Sequence, residues 1–435
     1  MDVVKDYCNL FEQYCWMHEL YGKCTLHLII GQLPNVLNKK LYYRSSTHYN
    51  DLRFHLCYMS PTGTGKGAGA NFVYNVCQKV GLNMQSIMTI TDAGLIGQPT
   101  KRLEYNATTK SMEMVVTIEK GLLDPAKGVN ILFFPEASPL FKQNPGQYVQ
   151  ERMDYFQVVM NPMGTNDNKL SKRLAVDMMV EFNPTCSLFF TTYEPHGLFD
   201  ILINRGLLQR MFFVVNTITE EQRMEMVKRS VMNMGTDPSE RLKTDTQLDV
   251  IAKEIAEINN HAGQIDEIKQ DPKVHDAMKG VISIMFDSVA DCRQSIKEQL
   301  YKFIQRYTEL IWKISAHHAL MRLDDTIRVE DVVYAKEFAM VTWRRLISLF
   351  ELRYVSTDRG YFKTLHDIQL IIKELENLKL DSYTEADLSR AIRNALGVSG
   401  VGAVAFINEL RNKGFIMYDR EEKRYKRTGK QPTGW

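Results

Sequence analysis

The sequence predicts an α/β protein whose first half holds the sheet and whose second half is mainly helical. Continuous apolar runs of strand length are typical of strands covered on both faces, and four occur in the first half, at 54–59, 129–134, 186–190 and 211–215. A glycine-rich turn follows the first run and leads into a helix with one apolar face, so this stretch predicts strand, loop and helix. From about residue 219 the pattern becomes helical and charged.

These changes in pattern divide the chain into four predicted segments. Apolar residues at helical spacing predict an N-terminal helical segment over 1–50. The apolar runs and the glycine loop predict an α/β core over 51–218, and the charged helical stretch predicts a lid over 219–355. Residues 356–435 are predicted to form a separate small domain with a tail.

Composition bounds the class of protein. The chain has 435 residues, of which 24% are charged and 44% hydrophobic, which suits a globular protein of two or three domains. Its net charge is only +2, so any nucleic-acid surface has to be local. The sequence has no signal peptide and no apolar run of about 18 residues, so we expect a soluble cytoplasmic protein without membrane contact.

The cysteines argue for a reducing compartment. There are seven of them, an odd number without disulfide-framework spacing, and none forms a C-x-x-C pair that would suggest zinc. We expect them to behave as small buried apolar residues.

The glycine-rich turn resembles a phosphate-binding loop. It reads Ser60-Pro61-Thr62-Gly63-Thr64-Gly65-Lys66-Gly67, against the pattern G-x-x-x-x-G-K-[ST]. Backbone N–H groups of such a loop wrap an anion, and the following helix N-terminus adds partial positive charge. We therefore predict that ATP phosphates contact Pro61, Thr62, Gly63, Thr64, Gly65, Lys66 and Gly67, with Lys66 reaching the β- and γ-phosphates. The pattern is broken at Gly67, because glycine lacks the hydroxyl that normally binds Mg²⁺.

An acidic residue follows the apolar run at 129–134. In ATPases of this kind a strand-end aspartate orders the Mg²⁺ shell, and the next glutamate polarises the attacking water. Here Glu136 fills the second position and Pro135 the first. We predict ATP and Mg²⁺ as cofactors with Glu136 as a catalytic residue, although both usual protein contacts to Mg²⁺ are missing; the alternative for Glu136 is a solvated strand-end carboxylate.

Several segments, taken in order, resemble the minichromosome-maintenance (MCM) helicases. They correspond to that family's helix-2 insert, presensor hairpin, sensor 1 strand, arginine-finger segment and sensor 2 helix, and lie at 91–121, 170–173, 182–195, 206–211 and 306–323. The resemblance covers about 55–350 and implies an AAA+ core with a helical lid. The family's large N-terminal DNA-binding tier and zinc finger are missing, so the chain resembles a compact relative of the kind carried by phages or mobile elements in a bacterial host.

The resemblance also implies roles for single residues. Thr192, with Thr191 as its neighbour, stands at the sensor 1 position that orients the lytic water. Arg210, with Arg205 as the fallback, stands where the arginine finger reaches the γ-phosphate of the adjacent subunit. Arg306 stands at the sensor 2 position and would act similarly from the lid. Such a site needs a neighbour, so the active protein is expected to be a ring, and a hexamer is the expected size.

Basic residues mark two candidate nucleic-acid surfaces. Lys169, Lys172 and Arg173 stand where the presensor hairpin would project into the pore and grip phosphates without reading sequence. A solvated loop explains them equally well.

The second surface lies in the C-terminal domain, which reads as helices over 362–378, 384–395 and 402–413 followed by a hairpin. Thr384, with Asp387 three residues later, is the predicted cap of the second helix. Three helices and a hairpin are the pattern of a winged helix, with the third helix as the recognition helix. Its basic patch includes Arg411, Lys413 and Arg424. Winged helices also serve as protein-interaction modules, and that alternative stays open.

Three functions are compatible with these patterns. The first is an ATP-driven ring helicase or translocase on single-stranded or forked DNA, acting in replication, with a primase or loader as a further partner. The second is an ATP-binding initiator, loader or structural ring with slow or absent hydrolysis, which the missing Mg²⁺ ligands favour. The third is a superfamily 3 viral helicase, since those are also AAA+ rings.

Overall fold

A computed structural model gives the fold of the chain. It describes residues 2–15, 19–42, 47–60, 63–88, 90–106, 108–141, 147–174, 178–193, 210–216, 221, 224–228, 238–290, 292, 294–357, 365–396, 406–407, 410–411, 414–419 and 421–429. The chain forms two compact units, Met1–Ser288 with Tyr301–Trp343 and Val289–Leu300 with Arg344–Trp435. The division into four segments stays a prediction.

The described strands, in chain order, are β1 (Lys40–Tyr42), β2 (Tyr49–Asp51), β3 (Leu56–Met59), β4 (Met84–Ser86), β5 (Gly97–Asn106), β6 (Ser111–Lys120), β7 (Ile131–Phe134), β8 (Leu170–Arg173), β9 (Met179–Phe182), β10 (Ser187–Thr192), β11 (Phe212–Val215), β12 (Lys269–Gln270), β13 (Thr326–Ile327), β14 (Ile416–Asp419) and β15 (Arg424–Arg427).

The described α-helices are α1 (Val3–Cys15), α2 (Glu19–Ile30), α3 (Pro34–Leu37), α4 (Lys66–Lys79), α5 (Asp92–Ile96), α6 (Gln147–Met160), α7 (Pro238–Gln264), α8 (Val274–Ser288), α9 (Gln294–Met321), α10 (Val329–Thr357), α11 (Leu365–Asn377) and α12 (Glu385–Leu396). Short 3₁₀ turns lie at Pro125–Lys127, Ser138–Phe141 and Asn166–Asn168.

The first unit is built on a parallel five-stranded sheet with the strand order β11-β3-β10-β7-β4. Every residue of β3, β7, β10 and β11 is buried, which is why these strands appear in the sequence as continuous apolar runs. The α/β prediction is confirmed in this form. The short edge strand β4 was not predicted, because only one of its three residues is buried.

Helices near the N-terminus pack on the helix that follows the glycine loop. The rings of Tyr7 and Phe11 meet Phe72 of α4 edge-on, each with centroids 5.3 Å apart, and Tyr21 of α2 stacks on Tyr58 of β3 at 3.7 Å. Aromatic burial of this kind anchors α1 and α2 against α4 and the sheet. The predicted helical segment 1–50 is wrong in its last part, where β1 and β2 pair as an antiparallel hairpin.

Two further antiparallel hairpins lie between strands of the central sheet in chain order. β5 and β6 pair in register over ten residues each, from Gly97↔Lys120 to Asn106↔Ser111. β8 and β9 pair over four, from Leu170↔Phe182 to Arg173↔Met179. The first hairpin precedes β7 and the second precedes β10.

Helix α9 is tied to the chain just before β3. Lys313 donates to the carbonyl of Arg53 at 3.1 Å, and the Nε2–H of His317 donates to the carbonyl of Leu52 at 2.8 Å. That bond makes His317 Nδ1 an acceptor, so the His27 Nδ1–H donates to it across 3.2 Å, and the Tyr334 hydroxyl donates to His27 Nε2 at 3.2 Å. One set of neutral tautomers satisfies every bond of this buried chain.

The second unit contains helices α11 and α12 and the hairpin of β14 and β15. The predicted cap of the second helix is confirmed, because Thr384 Oγ1 accepts from the Asp387 N–H at 3.2 Å and Asp387 Oδ2 accepts from the Thr384 N–H at 3.0 Å. Of the predicted third helix, the described residues 406–407 and 410–411 are helical. Of these residues, Phe406, Ile407 and Leu410 contribute to an apolar core with residues of both helices and the hairpin.

All seven cysteines are free and buried, as predicted.

Candidate nucleotide site

The predicted phosphate loop joins β3 to α4. Gly63 and Gly65 have φ angles of 76° and 75°, in the left-handed region that favours glycine. A Cβ atom on Gly63 would meet nothing within 4 Å, so conformation rather than space favours glycine there. Gly65 is the N-cap of α4, which aims the first N–H groups of the helix at the loop. Pro61 and Thr62 lie outside the described residues.

Lys66 stands at the start of α4, over the carboxyl end of β3. Its Nζ donates to the carbonyl of Ser60 at 2.6 Å. Burial lowers the pKa of Lys66, and the carboxylate of Glu136 opposes that shift. The structure therefore brings Lys66 and Glu136, 70 positions apart in the sequence, into electrostatic reach.

Backbone hydrogen bonds hold the ends of β3, β7 and β10 together at this carboxyl edge. The Ser60 N–H donates to the Thr192 carbonyl at 3.0 Å, and the Ala137 N–H donates to the Thr191 carbonyl at 2.9 Å. The Thr191 hydroxyl donates to the Pro135 carbonyl at 2.6 Å, and that of Thr192 to the Tyr193 carbonyl at 3.0 Å. The sheet thus gathers the predicted Lys66, Glu136 and Thr192 at one edge.

The carboxyl edge fits ATP better than it fits magnesium. Two left-handed glycines, a helix start and a lysine make an anion cradle, and beside it the buried hydroxyl of Ser60 has no hydrogen-bond partner among the described residues. Gly67 and Pro135 supply no ligand oxygen from their side chains. In the part of the chain that the structure describes, no group of three His, Cys, Asp or Glu could hold a metal. Because Mg²⁺ usually keeps several waters and binds substrate phosphates, ATP phosphates and water are its fitting ligands here, and Glu136 is the carboxylate left for the attacking water.

The two predicted catalytic arginines lie at the opposite, amino edge of the sheet. Arg210 directly precedes the residues that enter β11, and its Nε donates to Asn161 Oδ1 at 3.1 Å. Burial and then the charge of Arg306 lower the pKa of Arg210, while Glu309 and Asp167 oppose the shift, so the two guanidinium groups are within electrostatic reach of each other. Arg306 donates to Glu309 at 2.8 Å. A four-residue strand spans about 13 Å, which separates this edge from the chain's own phosphate loop. Arg205 lies outside the described residues.

A buried charge cluster at the amino edge was missed in the sequence. Arg53 has no exposed surface, and its Nη2 lies 2.9 Å from Asp51 Oδ2. Burial alone would raise the pKa of Asp51, but Arg53 and Lys313 hold that pKa well below its usual range. The available signal was the D-x-R pair immediately before a strand, where two charges enter an otherwise apolar stretch.

The three basic residues of the β8–β9 hairpin have different surroundings. Lys169 pairs with Glu181 across the hairpin. Lys172 donates to the Tyr155 hydroxyl at 2.6 Å and to the Glu151 carboxylate at 3.1 Å. Burial alone would lower the pKa of Lys172, but these two hydrogen bonds raise that pKa above its usual value. Arg173 is exposed. Lys172 is therefore held against α6, and a phosphate contact there would compete with two existing bonds.

The predicted basic patch of the second unit is partly neutralised. Lys426 contacts Asp419 at 2.9 Å and Glu422 at 2.7 Å, and Arg427 contacts Glu376 at 2.9 Å. The exposed Arg424 donates to the Ser382 hydroxyl at 3.2 Å.

Arg411, on the third helical stretch of this unit, is also exposed. Lys413 lies outside the described residues.

Comparison with known proteins does not assign the chain to a family. No protein-family model matches the chain, and no curated protein matches it significantly. None of the described helices is long and apolar enough to cross a membrane.

Proposed function

We propose that the chain is an ATP-dependent DNA helicase or translocase of the AAA+ type that works as a ring. The observation that carries this proposal is the division of the predicted catalytic groups between two sheet edges. Lys66, Glu136 and Thr192 gather at the carboxyl edge, while Arg210 and Arg306 lie together at the amino edge.

The carboxyl edge would hold the nucleotide. The loop N–H groups and the Lys66 ammonium bind the phosphates, and the phosphates compete with the Ser60 carbonyl for that ammonium. When bound, ATP would supply the phosphoryl group, and Mg²⁺ would supply charge neutralisation beside it. Glu136 polarises the attacking water, and Thr192 lies at the end of the adjacent strand, where it can orient that water.

The amino edge would complete the site of the next subunit. Arg210 and Arg306 are a strand length from their own phosphate loop, so they cannot serve it without a large rearrangement. Glu309 and Asp167 partly offset the repulsion between the two arginines. A neighbour's γ-phosphate would add a further favourable charge beside them. This arrangement supports catalysis in trans and hence a ring, expected to be a hexamer.

The DNA contacts are proposed from exposure and charge. Arg173 on the β8–β9 hairpin and Arg411 and Arg424 in the second unit are exposed cations that can bind phosphates without reading sequence. A winged helix in the second unit, a role in replication of a phage or mobile element, and a primase or loader as partner remain parts of the same proposal, in line with the MCM resemblance.

A second candidate function is an ATP-binding ring that hydrolyses slowly. Gly67 and Pro135 favour it, because they replace the two side chains that normally contact Mg²⁺ in such a site. Under this alternative ATP drives assembly, and the arginine edge stabilises the ring rather than the transition state.

Turnover and strand separation distinguish the two candidates. ATPase with and without single-stranded DNA, strand displacement, and ATP-dependent sedimentation are measured for the wild type, Lys66→Ala, Glu136→Gln and Arg210→Ala. The helicase proposal predicts DNA-stimulated turnover that Arg210→Ala lowers by roughly 10³-fold. Lys66→Ala is expected to weaken ATP binding by about 10- to 100-fold, the worth of one charged contact.

Lys127→Ala is the matched control, because Lys127 is an exposed lysine on a 3₁₀ turn. It should match the wild type throughout. A wild type that assembles with ATP but shows no DNA-stimulated turnover would favour the slow ring, and one that neither binds ATP nor assembles would refute both.

A further inference from the structure

Asn161 hydrogen-bonds to the side chain of Arg210. It lies directly after α6, and its Oδ1 accepts from Arg210 Nε at 3.1 Å. On the other side its Nδ2 donates to the Asp167 carbonyl at 2.8 Å. An amide that accepts on one side and donates on the other has a single orientation, so the acceptor facing Arg210 is fixed.

The backbone of Asn161 is held in turn by the buried charge cluster. Arg53 Nη2 donates to the Asn161 carbonyl at 2.6 Å, and Arg53 Nη1 donates to the Pro184 carbonyl at 3.0 Å. Asp51 locks the same guanidinium through Nε at 3.1 Å and Nη2 at 2.9 Å. Its Oδ2 also accepts from the Met163 N–H at 2.6 Å. One ion pair therefore holds the loop after α6 at Asn161 and again at Met163.

The same cluster reaches the helix that carries Arg306. Lys313 donates to the Arg53 carbonyl at 3.1 Å and lies 3.9 Å from Asp51. Arg306 is seven residues earlier on α9, which places both side chains on one helix face. The pair Asp51–Arg53 thus connects to both arginines of the amino edge.

We infer that Asn161 is a positioning residue for Arg210, acting on the nucleotide site of the neighbouring subunit, with Asp51 and Arg53 as its support. The inference rests on the proposed function, in which Arg210 serves that neighbour. A long arginine side chain has many rotamers, and the bond to Nε fixes the plane of the guanidinium before a phosphate arrives. Preorganised donors of this kind stabilise developing charge without reorganisation during the reaction.

Subunit mixing tests the inference. Lys66→Ala chains lack a working loop but offer Arg210, whereas Arg210→Ala chains keep the loop but lack the arginine. A mixture of the two should regain part of the turnover. Asn161→Ala should lower kcat by roughly 10- to 100-fold, as expected for a misplaced catalytic group, with little change in KM. It should be rescued by mixing with Lys66→Ala and not by mixing with Arg210→Ala.

Two further variants keep the test independent of folding. Asn161→Asp retains an oxygen acceptor for Arg210 and should recover most of the lost turnover. Asn166→Ala, at an exposed asparagine of the same loop, should behave as the wild type. ATP-dependent assembly is followed in every mixture by sedimentation velocity, so a slowly hydrolysing ring is tested in the same way.

The mixtures give distinct results for the inferred role of Asn161 and for the proposed ring site. Rescue of Asn161→Ala by Arg210→Ala would place Asn161 in its own subunit's site and overturn the inference, as would unchanged kcat and assembly. A folded Asn161→Asp as defective as Asn161→Ala would also overturn it. Absence of recovery in the mixture of Lys66→Ala with Arg210→Ala would instead refute the proposed ring site, independently of Asn161.

Discussion

The two edges of the central sheet differ in how their polar groups are held. At the carboxyl edge Lys66 and Glu136 are only partly buried, and Lys66 is bound to a backbone carbonyl. At the amino edge Asp51 and Arg53 are buried, paired with each other and connected to Lys313 and Asn161. A ligand can displace the contacts of the first edge, whereas the contacts of the second persist as part of the core. Displaceable polar groups and buried, paired ones are therefore separated across one sheet.

Removal of the buried carboxylate should have the largest effect on stability. Asp51→Ala leaves Arg53 and Lys313 buried without their counter-ion, which should lower the free energy of unfolding by about 3–5 kcal/mol. Urea denaturation followed by circular dichroism measures this. Asp266→Ala, at an exposed aspartate, should stay within about 0.5 kcal/mol of the wild type. A loss for Asp51→Ala no larger than that control would mean that the amino edge does not hold the fold.

Lowering the pH should reduce the free energy of unfolding through the buried imidazoles of His27 and His317. Burial lowers the pKa of His317 to about 3 and also lowers the pKa of His27. The unfolded chain titrates these imidazoles near the ordinary value of 6.5, so below that pH it binds protons that the folded chain does not. The free energy of unfolding should therefore fall with decreasing pH from about 6.5 towards 3, by about 1.4 kcal/mol per pH unit for each imidazole.

Denaturation at several pH values between about 7 and 5 checks this slope, because Asp51 stays ionised throughout that range. His317→Gln should be less stable near pH 7 but should lose the part of the slope that belongs to His317. An unchanged slope in His317→Gln would show that this imidazole does not titrate on unfolding.

The smallest predicted effect is a gain of function at the carboxyl edge. A Cβ atom on Gly67 meets nothing within 4 Å, so Gly67→Thr can add the missing hydroxyl without a clash. We expect half-maximal turnover at about tenfold lower Mg²⁺, the lower end of what one supporting contact contributes at a metal site. Gly67→Ala is the matched control and should leave the Mg²⁺ dependence unchanged. An equal change of the Mg²⁺ dependence in both variants would show that the side chain at position 67 does not contact the metal.

Much of the carboxyl edge could be predicted because its signals are local. The strand, glycine loop and helix around Lys66 are contiguous, and the four predicted apolar runs coincide with β3, β7, β10 and β11. The hairpin β1–β2 was missed because its two strands have only three residues each, and only β1 alternates in burial, which is too little to outweigh the preceding helical pattern. The edge strand β4 lacked the apolar run that marked the others.

The sequence by itself determined the α/β class, the glycine loop between β3 and α4, the acidic strand end and the capped helix at Thr384, because each depends on residues within a few positions of one another. Only the tertiary structure decided that Lys66 faces Glu136, that Arg210 lies beside Arg306, and that Asn161 connects Arg210 to Asp51 and Arg53. Those contacts join residues from 49 positions apart, between Asn161 and Arg210, to 108, between Arg53 and Asn161. The order in which parallel strands pair brings such residues together, and strand order is a property of the packed sheet rather than of any local pattern.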